Sequence, residues 1–181
     1  MRSGFIALLV LPAFVLLMAI GANAQELTWP KARPEDVSSV TAIIKASYDA
    51  ISVPPGQTLN LDRFRSLFLP NAQLVSVSVK NGEPQAHIMT LNEFSEMVTG
   101  AIGKSGHVEH EFTERVQEYA NIANVWSAYE SRSTPQDPHV IRGINSIQLF
   151  NDGKRWWISG AQWQHERADM PIPAKYLSTK R

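Results

Sequence analysis

From His107 to His165 the sequence is patterned as strand almost without interruption, in four segments: His107–Tyr119, Ile122–Arg132, Val140–Phe150 and Arg155–His165. Each mixes β-branched, aromatic and small polar residues, and the breaks between them carry Gly, Pro, Asn or Asp, the residues that end strands and make turns. Strands of this length need partners for their backbone N–H and C=O groups. The chain is therefore committed to an antiparallel meander, and whatever precedes it must cover a face. Asn151-Asp152-Gly153 is the clearest hairpin signal. A two-residue Asp152-Gly153 turn pairs Leu149 with Trp156, Ile147 with Ile158 and Asn145 with Gly160. On the other face it pairs Gln148 with Trp157, Ser146 with Ser159 and Arg142 with Trp163. Both faces carry large apolar groups, whereas a sheet wet on one side alternates more cleanly. One face is expected to meet helices and the other a second copy of the chain, giving a homodimer through the sheet face.

The helices lie upstream. Pro34 suits a first helical turn, with Glu35 and Asp36 at its positive end. Val37, Val40, Ile44, Tyr48 and Ile51 then recur every three or four residues, as on one amphipathic helix ended by Pro54-Pro55-Gly56. Asn60 caps a short second helix bearing Leu61, Phe64, Leu67 and Phe68, closed by Pro70-Asn71. Ala72–Val79 and Gln85–Met89 read as two strands about an Asn81-Gly82 turn. Thr90-Leu91-Asn92-Glu93 is a capping box, followed by the stripe Leu91, Phe94, Met97, Val98 and Ile102, with Gly103 as the expected C-cap. Helices first and a long meander after make an α+β domain, with helices on one face of a curved sheet.

The ends and the composition bound the setting. Met1-Arg2-Ser3, an apolar run from Gly4 to Gly21, and Ala22-Asn23-Ala24 form the export pattern of charge, apolar core and small-residue cleavage site. Cleavage is expected after Ala24. Residues 1–24 are then a signal peptide, 25–33 a leader, 34–168 the domain and 169–181 a tail interrupted by Pro171 and Pro173. The mature protein is expected in the periplasm or outside the cell, free of the membrane. With no Cys, the chain has no disulfide, thiol nucleophile, lipid-anchored cysteine or Cys-based metal site. Acidic and basic residues balance at 17 each and form no basic stripe, which speaks against nucleic acid.

The order helix, short helix, strand pair, helix, four strands resembles the NTF2-like superfamily, with its ketosteroid isomerases and SnoaL-type cyclases. The text LDRFRSLFLPNAQLV resembles that group's entry into the first strand; VWSAYESR, RGINSIQLF and GKRWWI resemble its last three strands, and PIPAKYL the tail of one exported bacterial branch. The resemblance spans about residues 34–177. It implies an NTF2-like cone, three helices packed on the concave face of a mostly antiparallel sheet of about six strands, enclosing an apolar pocket, with the convex face making a dimer. No cofactor is expected.

Candidate chemistry is sparse. By resemblance, Tyr48 stands where steroid isomerases of this fold place an oxyanion donor, but Ser76 stands where they place the base. A hydroxyl does not replace a carboxylate that must accept a proton near neutral pH. Tyr48 reads equally well as a core aromatic with a bonded hydroxyl. His110 is a candidate acid or base, or a core or interface histidine. Glu111 and Glu130 face each other under one strand register, and two close carboxylates would raise one pKa; a one-residue slip separates them. The pocket candidates are Tyr48, His110, Tyr129, Asn145, Gln148, Trp157 and Trp163, with Arg142 and Trp126 beside them. His107 and His110 suggest a metal pair, but three residues apart on a strand they point to opposite faces. No metal is expected. The reading is of a pocket for a small apolar ligand or a dimeric scaffold, against a cofactor-independent isomerase-type enzyme on an apolar carbonyl compound or a protein-interaction module.

Overall fold

The computed structural model describes residues 29–178. The expected signal peptide and its cleavage site lie outside the described residues. Trp29, in the expected leader, is tied to the domain: its indole N–H donates to the Phe68 carbonyl at 3.0 Å, and the Arg65 guanidinium lies over its ring.

The chain then forms helix α1 (Val40–Ile51), helix α2 (Leu61–Ser66), strands β1 (Phe68–Lys80) and β2 (Glu83–Thr90), and helix α3 (Leu91–Ser105). Strands β3 (Val108–Tyr119), β4 (Ile122–Arg132), β5 (Ile141–Asn151) and β6 (Trp156–His165) follow. The six strands form one sheet in the order β2-β1-β6-β5-β4-β3. Every neighbouring pair is antiparallel except β1 with β6. The fold class is α+β with a curved, open, mostly antiparallel sheet.

Local chemistry accounts for the boundaries and for four departures from the sequence reading. The expected first helix is two pieces: Pro34–Val37 is a 3-10 turn, and α1 starts afresh because the Ser39 hydroxyl accepts the Ala42 N–H. Pro70-Asn71 does not precede the first strand but lies within β1, where the pairing with β6 slips between Phe68 and Gln73, so the missing proline N–H breaks no regular ladder. The capping box of Thr90 and Glu93 forms, but α3 runs past Gly103 and is capped by Gly106 at φ 73°.

The fourth departure matters most. The β5–β6 turn is longer than two residues: Asn151 pairs with Trp156, and Leu149 with Ile158. Beyond it a bulge at Ser159 shifts the register again, so Gln148 pairs with Gly160 and Asn145 with Trp163. The side-chain oxygens of Asn151 and Asp152 take the N–H groups of Gly153, Lys154 and Arg155, which holds the wider loop. A bulge puts one extra residue in one strand and so changes which face later residues occupy. It keeps Trp156 and Ile158, before it, on the same side as Ala161 and Trp163, after it.

That side is the inner face. A single core cluster joins Ile43, Ile44 and Tyr48 of α1, Phe64 of α2 and Leu91 of α3 to Leu74, Val125, Tyr129, Ile147, Leu149, Trp156 and Ile158 of the sheet. Burying large aliphatic side chains contributes about 1.5–3 kcal/mol each, the main stabilising contribution open to a chain without cysteine. The outer face carries the tail. Tyr176 stacks on Trp126 with ring centroids 5.6 Å apart, and Ile172 is buried, its N–H donating to Glu166 at 2.8 Å. Among the described residues no helix is long and apolar enough to cross a membrane.

Candidate ligand site

The inner face does not close completely onto the helices. A cavity of about 370 Å³ lies between them. Its walls are apolar: Ile51 of α1, Phe64 of α2, and Phe94, Met97, Val98 and Ile102 of α3 face Leu74, Ile147, Ile158, Ala161 and Trp163 of the sheet. Phe94 meets Trp163 edge to face at 5.8 Å and stacks on Phe64 at 5.3 Å, which joins the three rings into one aromatic wall.

Polar groups come from the end of α1, from β3 and the residue before it, and from β4, β5 and the end of β6. Tyr48, Glu109, Tyr129, Ser131, Asn145, His107 and His165 all line the cavity. They form three short networks. Asn145 Nδ2 donates to the Tyr48 hydroxyl at 2.9 Å. That hydroxyl lies 2.6 Å from Ser127 Oγ, and Ser127 donates to Glu111. Tyr129 Oη is 3.1 Å from His165 Nδ1. His107 Nε2 is 3.0 Å from Glu109 Oε2. Burial sets the charge states. It pushes the hydroxyls of Tyr48 and Tyr129 well above the ordinary tyrosine range. It pushes His165 down, so that imidazole is neutral near pH 7. It pushes Glu111 up to about 7, against the Ser127 hydrogen bond and with help from the charge of Glu114.

The site offers a greasy slot for a compact molecule and, at one end, paired donors and acceptors for a carbonyl or hydroxyl. Cavities of a few hundred Å³ with that mixture are the usual form of small-molecule sites. Among the described residues no group of three or more His, Asp or Glu is placed to hold a metal ion.

No protein-family model matches the sequence, and no curated protein matches it. Solved structures do. An NTF2-like protein of unknown function from Silicibacter pomeroyi superposes with a TM-score of 0.50 at 15% identity, over 71% of this chain and 94% of that one. Another from Shewanella baltica gives 0.50 at 9% identity, over 71% and 91%. A protein from Novosphingobium aromaticivorans, provisionally assigned as a scytalone dehydratase, gives 0.53 at 12% identity, over 75% and 88%.

The chain has an NTF2-like fold.

Within this NTF2-like fold the candidate residues separate into two groups. Tyr48, Tyr129, Asn145 and Trp163 line the cavity. His110, Gln148 and Trp157 do not, and each is displaced for a structural reason. His110 pairs with Glu130 across the β3–β4 ladder. Glu109 and Ser131, one residue along on either strand, face the cavity, so alternation puts His110 and Glu130 outside. There His110 Nε2 is 3.3 Å from Glu130, which also takes a hydrogen bond from Arg132 at 3.0 Å. Gln148 bonds Asn124 and Ser146 on the outer face. Trp157 is held at the β5–β6 turn, its N–H on Asp152 at 2.8 Å and the Arg155 guanidinium 3.6 Å from its ring. Trp126 lies under the tail, and Arg142 lies over Phe112 on the outer side, near Glu166. Ser76 pairs with His87 and Trp163 and is not among the lining residues.

The Glu111–Glu130 pair does not exist. Glu111 lies opposite Tyr129 on the inner face. Its acidic neighbour is Glu114, because β3 bulges at Phe112 and brings residues three apart onto one face. His107, set aside above as half of a metal pair, and Glu109 and His165, which are not among the expected pocket residues, also line the cavity. His107 and Glu109 alternate with His110, so one register choice fixes all three. His165 reaches the cavity only through the Ser159 bulge, which leaves no sequence signal beyond the Ser-Gly pair.

Proposed function

We propose that this protein binds a small, mainly apolar molecule carrying a carbonyl or hydroxyl group, in the hollow of an NTF2-like cone whose concave face the three helices cover. The observation that carries this reading is the cavity of about 370 Å³, with aromatic and aliphatic walls and a polar end built by Tyr48 and Asn145. The ends of the chain extend the proposal. The pattern of Met1 to Ala24 supports export, and protein recovered from the periplasm or medium should begin at Gln25. A dimer through the outer face has to accommodate the tail that stacks on Trp126. Sedimentation should show a dimer, and a strict monomer would remove the scaffold half of the reading.

Binding is tested by thermal shift against apolar ketones, alcohols and aromatics, with Ala161→Phe as control. Ala161 lines the cavity, so filling it should abolish stabilisation without unfolding the chain. Ligand at about 100 times its Kd stabilises by about 2.7 kcal/mol, and in a domain of this size that is a shift of several degrees.

One observation favours a second reading. His107 and Glu109, 3.0 Å apart, both line the cavity, and an imidazole–carboxylate pair near a carbonyl binder is the equipment of proton transfer at the adjacent carbon. An enzyme of this kind would exchange the α-protons of a bound ketone with solvent. Incubating 4-phenylcyclohexanone with the protein in deuterated water and reading its proton spectrum decides this, with Glu109→Gln as control. No exchange above buffer leaves a binder.

A further inference from the structure

Glu111 and Ser127 are not cavity-lining residues; they stand behind Tyr48 and Asn145, which are. The four side chains make one hydrogen-bonded row, and its direction follows from which atoms own protons. An ionised carboxylate has none, so Ser127 donates to Glu111. The serine oxygen then accepts, and Tyr48 donates to it at 2.6 Å. The tyrosine oxygen accepts from Asn145 at 2.9 Å. With Glu111 ionised, the row runs toward the carboxylate and Tyr48 has no proton left for the cavity. A proton on Glu111 reverses it. Glu111 then donates to Ser127, Ser127 donates to Tyr48, and the Tyr48 O–H turns into the cavity beside the Asn145 amide. Only hydrogens move.

We propose that Glu111 is a proton-operated selector for the cavity, which through Ser127 makes Tyr48 an acceptor for ligand hydroxyls when ionised and a donor to ligand carbonyls when protonated. The ligand half of this rests on the binding reading above; the reversal of the hydroxyls does not. Glu111 is a positioning residue here, acting only through Ser127.

The surroundings suit such a device. Burial and the nearby charge of Glu114 oppose ionisation of Glu111, and the Ser127 bond alone supports it, which leaves the carboxyl poised at about 7. On β3 the titratable neighbours on the inner face are Glu109 and Glu114. On β4, Ser127 and Tyr129 face it. On α1, besides Tyr48, Thr41 bonds Glu114 and Lys45 is paired with Asp49 at 2.6 Å. Among the described residues no cation acts on the Glu111 carboxyl.

The test is infrared difference spectroscopy of the purified protein titrated through neutral pH. A protonated-carboxyl band should vanish with a midpoint near 7, and a tyrosine C–O band should shift with the same midpoint. Glu111→Gln should remove both changes, because an amide does not titrate in this range and fixes the direction of the row at every pH. Ser127→Ala should keep the carboxyl titration and uncouple the tyrosine, and Tyr48→Phe should remove the tyrosine change alone. A tyrosine band that ignores the carboxyl titration, or follows it unchanged in Ser127→Ala, overturns the selector, as does absence of the carboxyl band. The matched probes 4-phenylcyclohexanone and 4-phenylcyclohexanol then read the consequence. Their affinity ratio should move about tenfold toward the ketone between about pH 8 and about pH 5.5, one hydrogen bond's worth, and stay fixed in Glu111→Gln. Coupled bands without binding of either probe support the reversal and contradict the binding reading. Binding without coupled bands does the opposite.

Discussion

Glu111 carries its own stability signature. Its folded-state pKa of about 7 lies above its ordinary value of 4.5, so between those values the folded state holds more protons than the unfolded one. Stability from this group is full below about pH 4.5 and falls as pH rises through 7. His165 is shifted down by burial and works in the opposite sense, losing stability as pH falls through about 6.5. The wild-type profile is therefore a difference of two slopes. Glu111→Gln isolates one of them: denaturant unfolding should show it more stable than wild type by on the order of 1–2 kcal/mol at about pH 8, after allowance for solvent screening, and no more stable at about pH 4.5. Gly143 is a second single-residue test. A Cβ there would lie 2.5 Å from the Tyr129 hydroxyl, so Gly143→Ala should push Tyr129 off His165 and destabilise by about 1–3 kcal/mol. Loss of the Tyr129–His165 contact should appear as a changed environment of the His165 ring signals in proton NMR. Tyr48 was legible in the sequence because helical spacing puts it in line with Val40 and Ile44. Glu111 was visible only as half of the wrong pair, since a bulge at Phe112 is invisible to alternation counting.

At the level of elements, caps and turns behaved as local chemistry requires. Asn81-Gly82 forms its tight turn with φ of 54° and 82°, and the Thr90–Glu93 box forms at the start of α3. Thr90→Ala should cost about 1 kcal/mol in denaturant titration. The β5–β6 register was not legible, because Asn-Asp-Gly serves both a two-residue turn and the longer loop that side-chain acceptors hold here. The bulge at Ser159 then decides which face later residues occupy. Deleting Ser159 should send Ala161, Trp163 and His165 outward or break β6. Either way the Phe94–Trp163 contact is lost, which a red shift of tryptophan emission would report. An unchanged spectrum would mean that the bulge does not set the face.

At the scale of the whole fold, the three helices and one curved sheet of the described residues leave room between them that the core does not fill. The element order and the α+β class were readable from periodicity. The cavity was not, because its size depends on side chains that meet only once the strands are in register. The outer face shows the same limit. Its apolar residues suggested a second copy, yet part of that surface is taken by the chain's own tail through Tyr176 and Ile172. The most direct test is a titration of the purified, isotope-labelled protein with 4-phenylcyclohexanone, followed by two-dimensional NMR. Saturable shifts confined to Ile147, Ala161, the Trp163 indole and the Asn145 side-chain amide are the result expected. Shifts that never saturate, or that fall on Trp126 and the tail instead, would contradict an inner-face ligand site.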